Sequence, residues 1–75
     1  MAPEDVVSRV FGIDRGRVTD ATSNTTLAEW DSMGHVNLIL ELEATYGLSL
    51  SPDDTLTMTS VEAIKRVLQS RGAAW

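Results

Sequence analysis

The seventy-five residues include no cysteine, 43% apolar side chains, and six Lys plus Arg against eleven Asp plus Glu, for a formal charge of −5. That length admits one small domain, residues 1–75, and the absence of cysteine beside a single histidine, His35, excludes thiolate catalysis, disulfides and a structural zinc site. No apolar run approaches the length of a membrane span and no basic leader precedes an apolar stretch, so no span or secretion signal is expected and the chain reads as cytoplasmic.

The first periodic segment is Val6, Val7, Val10 and Phe11, the spacing of one helix face. Pro3 suits an early helical position, Glu4 and Asp5 suit the positive end of the helix dipole, and Gly12 is a plausible stop. From Asp14 to Asp31 the chain is rich in Gly, Thr and Asn and holds no sustained period, which predicts a long loop. Ile13, Val18, Leu27 and Trp30 recur along it often enough to pin it to a core.

Ser32 to Tyr46 is the strongest helix pattern and ends at Gly47. Leu38, Ile39, Leu42 and Tyr46 fall within an arc of about 100°, as a core-facing stripe should. Met33, Val36 and Leu40 form a second stripe on a roughly opposite side, flanked by Asn37, Glu43 and Ala44. In so small a bundle one helix hardly buries both faces. The second stripe is therefore either covered by the long loop or left for a partner.

Beyond Gly47, Leu48 and Leu50 alternate with serines, and Pro52-Asp53-Asp54 reads as a turn or the first turn of a short helix through Leu56. The last helix is expected to start at Thr59 as N-cap with Glu62 completing a capping box, and to place Val61, Ile64, Val67 and Leu68 on one face. Lys65, Arg66 and Arg71 suit its negative end, and Gly72 stops it. The fold class is thus all-α, a small four-helix bundle with three main helices, a short third helix and a long first loop.

All six basic residues lie before Val18 or after Ile64, so the middle carries eight acids and no cation. A nucleic-acid backbone would be repelled by it and a basic protein surface attracted. An ordinary solvated acidic face explains the same charge.

Ser32 is placed unlike the other serines, between Asp31 and the start of the two-striped helix. Either Asp31 or Ser32 can serve as N-cap, a role worth about 1 kcal/mol. The same location favours a phosphodiester on the Ser32 hydroxyl, because the first-turn N–H groups are unpaired and the dipole end is positive. A serine hydrolase is the competing chemistry, with His35 three residues on. Gly stands only on the far side of Trp30-Asp31-Ser32-Met33-Gly34, however, and so short a chain leaves no room for an oxyanion hole and a substrate cleft. His35 projects near the core-facing arc and suits packing or a loop hydrogen bond. The acidic pairs lack calcium-loop spacing, so no metal is expected.

Leu27-Ala28-Glu29-Trp30-Asp31-Ser32-Met33-Gly34-His35-Val36-Asn37-Leu38-Ile39 resembles the phosphopantetheine attachment region of acyl carrier proteins, whose mark is Asp-Ser-Leu at the start of the second helix. Gly12-Ile13-Asp14, Val18-Thr19 and Thr59-Ser60-Val61-Glu62-Ala63-Ile64 extend the likeness over nearly the whole chain. The resemblance implies a phosphopantetheine arm on Ser32, transferred from coenzyme A by a phosphopantetheinyl transferase, and ending in a thiol that carries acyl or aminoacyl groups as thioesters. The carrier itself would catalyse nothing.

Asp31 would support modification, and Met33, Val36, Leu40, Glu41 and Glu43 would meet the basic docking surfaces of a loading ligase and of downstream acyltransferases or synthases. A monomer is expected. Met33 replaces the family's Leu with a flexible apolar residue of similar volume. Asn37 and Ala44 stand where fatty-acid carriers often have Glu, which points to small stand-alone carriers of natural-product, cell-surface or aminoacyl pathways. The Gly-Gly-x-Ser of peptidyl carriers is missing. The rival from another class is a small helical docking module that uses the same stripe without a cofactor.

Overall fold

The computed structural model describes all residues, Met1–Trp75. Four α-helices follow one another, α1 (Pro3–Phe11), α2 (Ser32–Tyr46), α3 (Pro52–Thr57) and α4 (Val61–Ser70), with a single 3-10 turn, Arg15–Arg17, inside the long first loop. The all-α bundle with three main helices and a short third one matches the sequence expectation. The 3-10 turn is an addition, nucleated by Asp14, whose carboxylate accepts from the Gly16 amide.

Helices α1 and α2 end on glycines in the left-handed region, Gly12 at φ 64° and Gly47 at φ 66°, a backbone state that favours a residue without Cβ. Helix α3 is too short to stand on propensity. It is held instead by a reciprocal cap, Ser51 Oγ accepting from the Asp54 amide at 3.1 Å and Asp54 Oδ2 from the Ser51 amide at 3.2 Å.

Helix α1 contacts both α2 and α4, while α3 leans on α4. Their inward faces supply one core, in which Val6 and Val7 of α1, Leu38, Ile39 and Leu42 of α2, Val61, Ile64 and Leu68 of α4 and the linker residue Met58 are buried. Val18 and Trp30 join it from the loop, with Ile13 and Leu27 packed against them, so the four loop anchors read from sequence are the ones that hold it. Backbone bonds finish the attachment. Val61 N donates to Thr22 O at 2.9 Å, Asn24 N to Thr59 O at 3.1 Å and Glu62 N to Asp20 O at 3.2 Å, bringing Ser23 and Ser60 into an isolated antiparallel bridge.

That attachment corrects the expected start of the last helix. Ser60, not Thr59, is the N-cap of α4, its hydroxyl accepting from the Ala63 amide at 3.1 Å, and the Thr59–Glu62 capping box does not form. The loop bonds explain the shift, because the Thr59 carbonyl is engaged by Asn24 and the helix starts one residue later. Of the three basic residues expected at the negative end of the helix, which closes at Ser70, only Arg71 stands there, as the C-cap, with Gly72, at φ 84°, beyond it; Lys65 and Arg66 lie farther back along the helix. Lys65 pairs with Glu4 and Asp20, Arg66 with Glu62 and Arg71 with Asp54.

Asp54 and Asp5, the second paired with Arg15, are more acidic than the ordinary aspartate value of 3.8, Asp54 chiefly through the Ser51 amide and then the Ser51 hydroxyl and Arg71, and Asp5 chiefly through Arg15 and then the Ala2 amide. Groups whose pKa is lower in the fold contribute stability that is complete above the unfolded value and lost as pH falls through the folded one. Stability in urea is therefore expected to decline below about pH 4. Asp54→Asn should blunt that decline. An acid limb of the same steepness in the variant would show that Asp54 contributes nothing to it.

Candidate functional site

The corner between the long loop and α2 gathers the chemistry-bearing residues. Trp30 fixes it. Only 2% of its surface is exposed, its ring stacks on Phe11 with centroids 5.5 Å apart, and its indole N–H donates to His35 Nδ1 at 3.0 Å. The opposite nitrogen, Nε2, lies 2.8 Å from the Thr55 carbonyl of α3. An indole only donates and a carbonyl only accepts, so both contacts require the neutral ring with its proton on Nε2. The packing and loop-bonding role expected for His35 is what these contacts describe.

With Trp30 anchored, the next residue is committed to capping. Asp31 Oδ1 accepts from the Gly34 amide at 2.8 Å, and Asp31 O accepts from His35 N at 2.8 Å. The choice left open between Asp31 and Ser32 falls to Asp31. Ser32 becomes the first residue of α2, exposed, its hydroxyl free of the cap. The backbone amides of Ser32 and Met33 have no partner in the chain, so the first turn keeps its positive end facing outward.

Gly34 makes this corner possible. A Cβ there would overlap the Glu29 carbonyl oxygen and stand 2.8 Å from Phe11 Cε1 and 3.2 Å from Asp31 Oδ1. The glycine thus lets α2 approach the loop and α1 closely, a requirement that residue spacing alone did not disclose.

Beside Ser32 opens a concavity of about 460 Å³, bordered by Asn24, Trp30, Asp31, His35, Thr55, Leu56 and Thr59. No cation lines it. Elsewhere Arg9 pairs with Glu41 at 3.1 Å and Arg15 with Asp5 at 2.7 Å. Arg17 alone is without an ion pair, every other basic side chain of the molecule being engaged.

The second stripe of α2 lies open, with Met33 75%, Val36 57% and Leu40 58% exposed. The loop does not cover it. Leu56 of α3, 75% exposed, adds an apolar residue at the border of the Ser32 concavity. The sequence places Leu56 only as the end of the short helix, for in six residues no period separates an outward leucine from an inward one. The two flanking acids differ. Glu41 is surface-exposed and paired with Arg9, whereas Glu43 turns toward the following segment, its Oε2 accepting from the Leu50 amide at 2.8 Å.

Residues 4–68 match the family described as "Phosphopantetheine attachment site". The chain is also 31% identical over 64 residues to an acyl carrier protein of Lactobacillus johnsonii, an alignment covering 84% of this chain and 80% of that protein.

Gly34→Ala tests the close approach. Helix propensity alone favours alanine by about 1 kcal/mol, whereas steric overlap in a packed site typically costs about 1–3 kcal/mol. The variant is expected to be the less stable protein by urea unfolding. A gain in stability would mean that the corner yields freely.

Proposed function

Because the chain belongs to the phosphopantetheine attachment-site family and acts as an acyl carrier protein, we propose that Ser32 is the residue that receives the phosphopantetheine arm. The observation that carries this reading is the division of roles at the α2 start, where Asp31 holds the cap and the exposed Ser32 hydroxyl stays available. A phosphodiester there would face the unpaired amides and the positive end of α2, and the concavity beside it leaves room for an arm to lie. When bound, the group supplies a thiol on which acyl groups are held as thioesters, a function that a cysteine-free chain cannot provide itself.

The chain's own residues hold and present. Asp31 keeps the first turn in place, Trp30 and His35 keep the corner from shifting, and Ser32 supplies the oxygen that is modified. The protein is a substrate of other enzymes and catalyses no step itself. A phosphopantetheinyl transferase, a loading ligase and downstream acyltransferases or synthases are its partners, meeting a single domain that works as a cytoplasmic monomer. The exposed stripe Met33, Val36 and Leu40, with Leu56 beside it, is the apolar part of the docking face. Glu41 carries its charge at the surface, while Glu43 acts first as a structural acceptor. No helix is long and apolar enough to cross a membrane.

Incubation with a phosphopantetheinyl transferase and coenzyme A is expected to add one arm to the wild type and none to Ser32→Ala, which should unfold within about 0.5 kcal/mol of the parent. Mass gained on another residue would defeat the assignment to Ser32, and mass gained on none would favour a docking module. Val36→Ala and Leu40→Ala should each lower kcat/KM of a partner enzyme about fivefold or more while leaving stability within about 0.5 kcal/mol. Stability losses of several kcal/mol would mark them as core residues instead. Glu41→Lys should slow loading and flatten its salt dependence. Glu43→Lys should also weaken the fold, since it removes the acceptor of the Leu50 amide; equal stability of the two variants would refute that distinction.

A further inference from the structure

With Ser32 as the attachment point, the seam between α2 and α3 bears on what the arm can carry. An alkyl chain tethered there gains from the protein only if the bundle offers an apolar void within reach. The apolar recess of that seam, bordered by His35, Val36, Ile39, Leu40 and Thr55, holds about 140 Å³. Ligand pockets commonly begin at about 300 Å³. Behind it the interior is filled, with Leu38, Leu42, Met58 and Ile64 fully buried. The larger concavity beside Ser32 is no substitute, since it is open to solvent and Asn24, Asp31, Thr55 and Thr59 set polar groups along its border.

Enlarging the recess requires α3 to move away from α2, and one side chain opposes that movement at both ends. His35 Nε2–H holds the Thr55 carbonyl, while His35 Nδ1 is itself held by Trp30, which is sealed and stacked on Phe11. Displacing α3 strands the Thr55 carbonyl and the ring N–H. Letting the ring follow α3 strands the buried indole N–H instead. Either way a half-buried polar group loses its protein partner, and a greasy chain supplies none in its place.

We propose that His35 latches α3 to α2 and closes the bundle to alkyl chains, so that this carrier serves short acyl groups held outside the protein. The inference rests on the assignment of the arm to Ser32, and the two can fail separately. The test loads the full chain with straight acyl-phosphopantetheine groups from acetyl to tetradecanoyl, confirms the site by peptide mass, and measures urea unfolding and amide exchange for the wild type, His35→Ala and His35→Gln.

The wild-type folding constant is expected to be independent of chain length, with unchanged protection in α2 and α3. His35→Ala should rise by up to about fourfold for each methylene it admits. His35→Gln, which retains a hydrogen-bonding end, stands in if the alanine variant does not fold. A wild-type folding constant that grows with chain length, accompanied by new protection in α2 and α3, would overturn the proposal. So would a latch variant that folds and shows no length dependence. Absence of mass on Ser32 would overturn the attachment assignment itself, and it is visible before any unfolding is measured.

Discussion

A buried indole must find an acceptor for its N–H, and this chain meets that requirement with a histidine. Trp30 is sealed beneath the loop, and the His35 nitrogen that accepts from it fixes the ring's proton on the far side, where it meets α3. One relay therefore joins the loop, the second helix and the third, and stacking on Phe11 brings in the first. The corner that presents Ser32 inherits its position from this relay, because Asp31 follows Trp30 directly and its cap can form only where the indole has put the chain.

Two adjacent polar residues, Asp31 and Ser32, thus receive opposite assignments. One is spent on the helix and the other is left to solvent, although both side chains are able to cap. Electrostatics sharpens the difference. The basic side chains are engaged elsewhere, with Arg17 alone unpaired, and none lines the concavity at Ser32. What favours an anion at this corner is accordingly the pair of unpaired amides in the first turn of α2, which lie beside the Asp31 carboxylate within an acidic stretch of chain.

Much of the fold was legible because its determinants are local. The glycines at 12 and 47 stop helices by a backbone state that few other residues adopt, and the two stripes of α2 separate cleanly at a period of 3.6. The first stripe is buried at Leu38, Ile39 and Leu42 with Tyr46 packed at its edge, whereas the exposure of the second, which the sequence left undecided between loop cover and a partner, is settled by the fold. The resemblance carried by Asp31-Ser32-Met33 reached the family that the matches identify. What escaped is non-local. The start of α4 is decided by loop carbonyls and amides, not by the better capping-box spacing. Lys65 and Arg71 go to carboxylates distant in sequence, and Glu43 to an amide seven residues on. A helical wheel has no view of a chain that folds back over it.

Gly34 carries a mechanical implication. Since the backbone of α2 at that point rests against the Glu29 carbonyl and the Phe11 ring with no side chain between, the first turn has no slack in which to slide. A force applied there is transmitted straight into the loop and the opening helix. Partner enzymes therefore approach a turn braced from two sides, by the loop and by the opening helix.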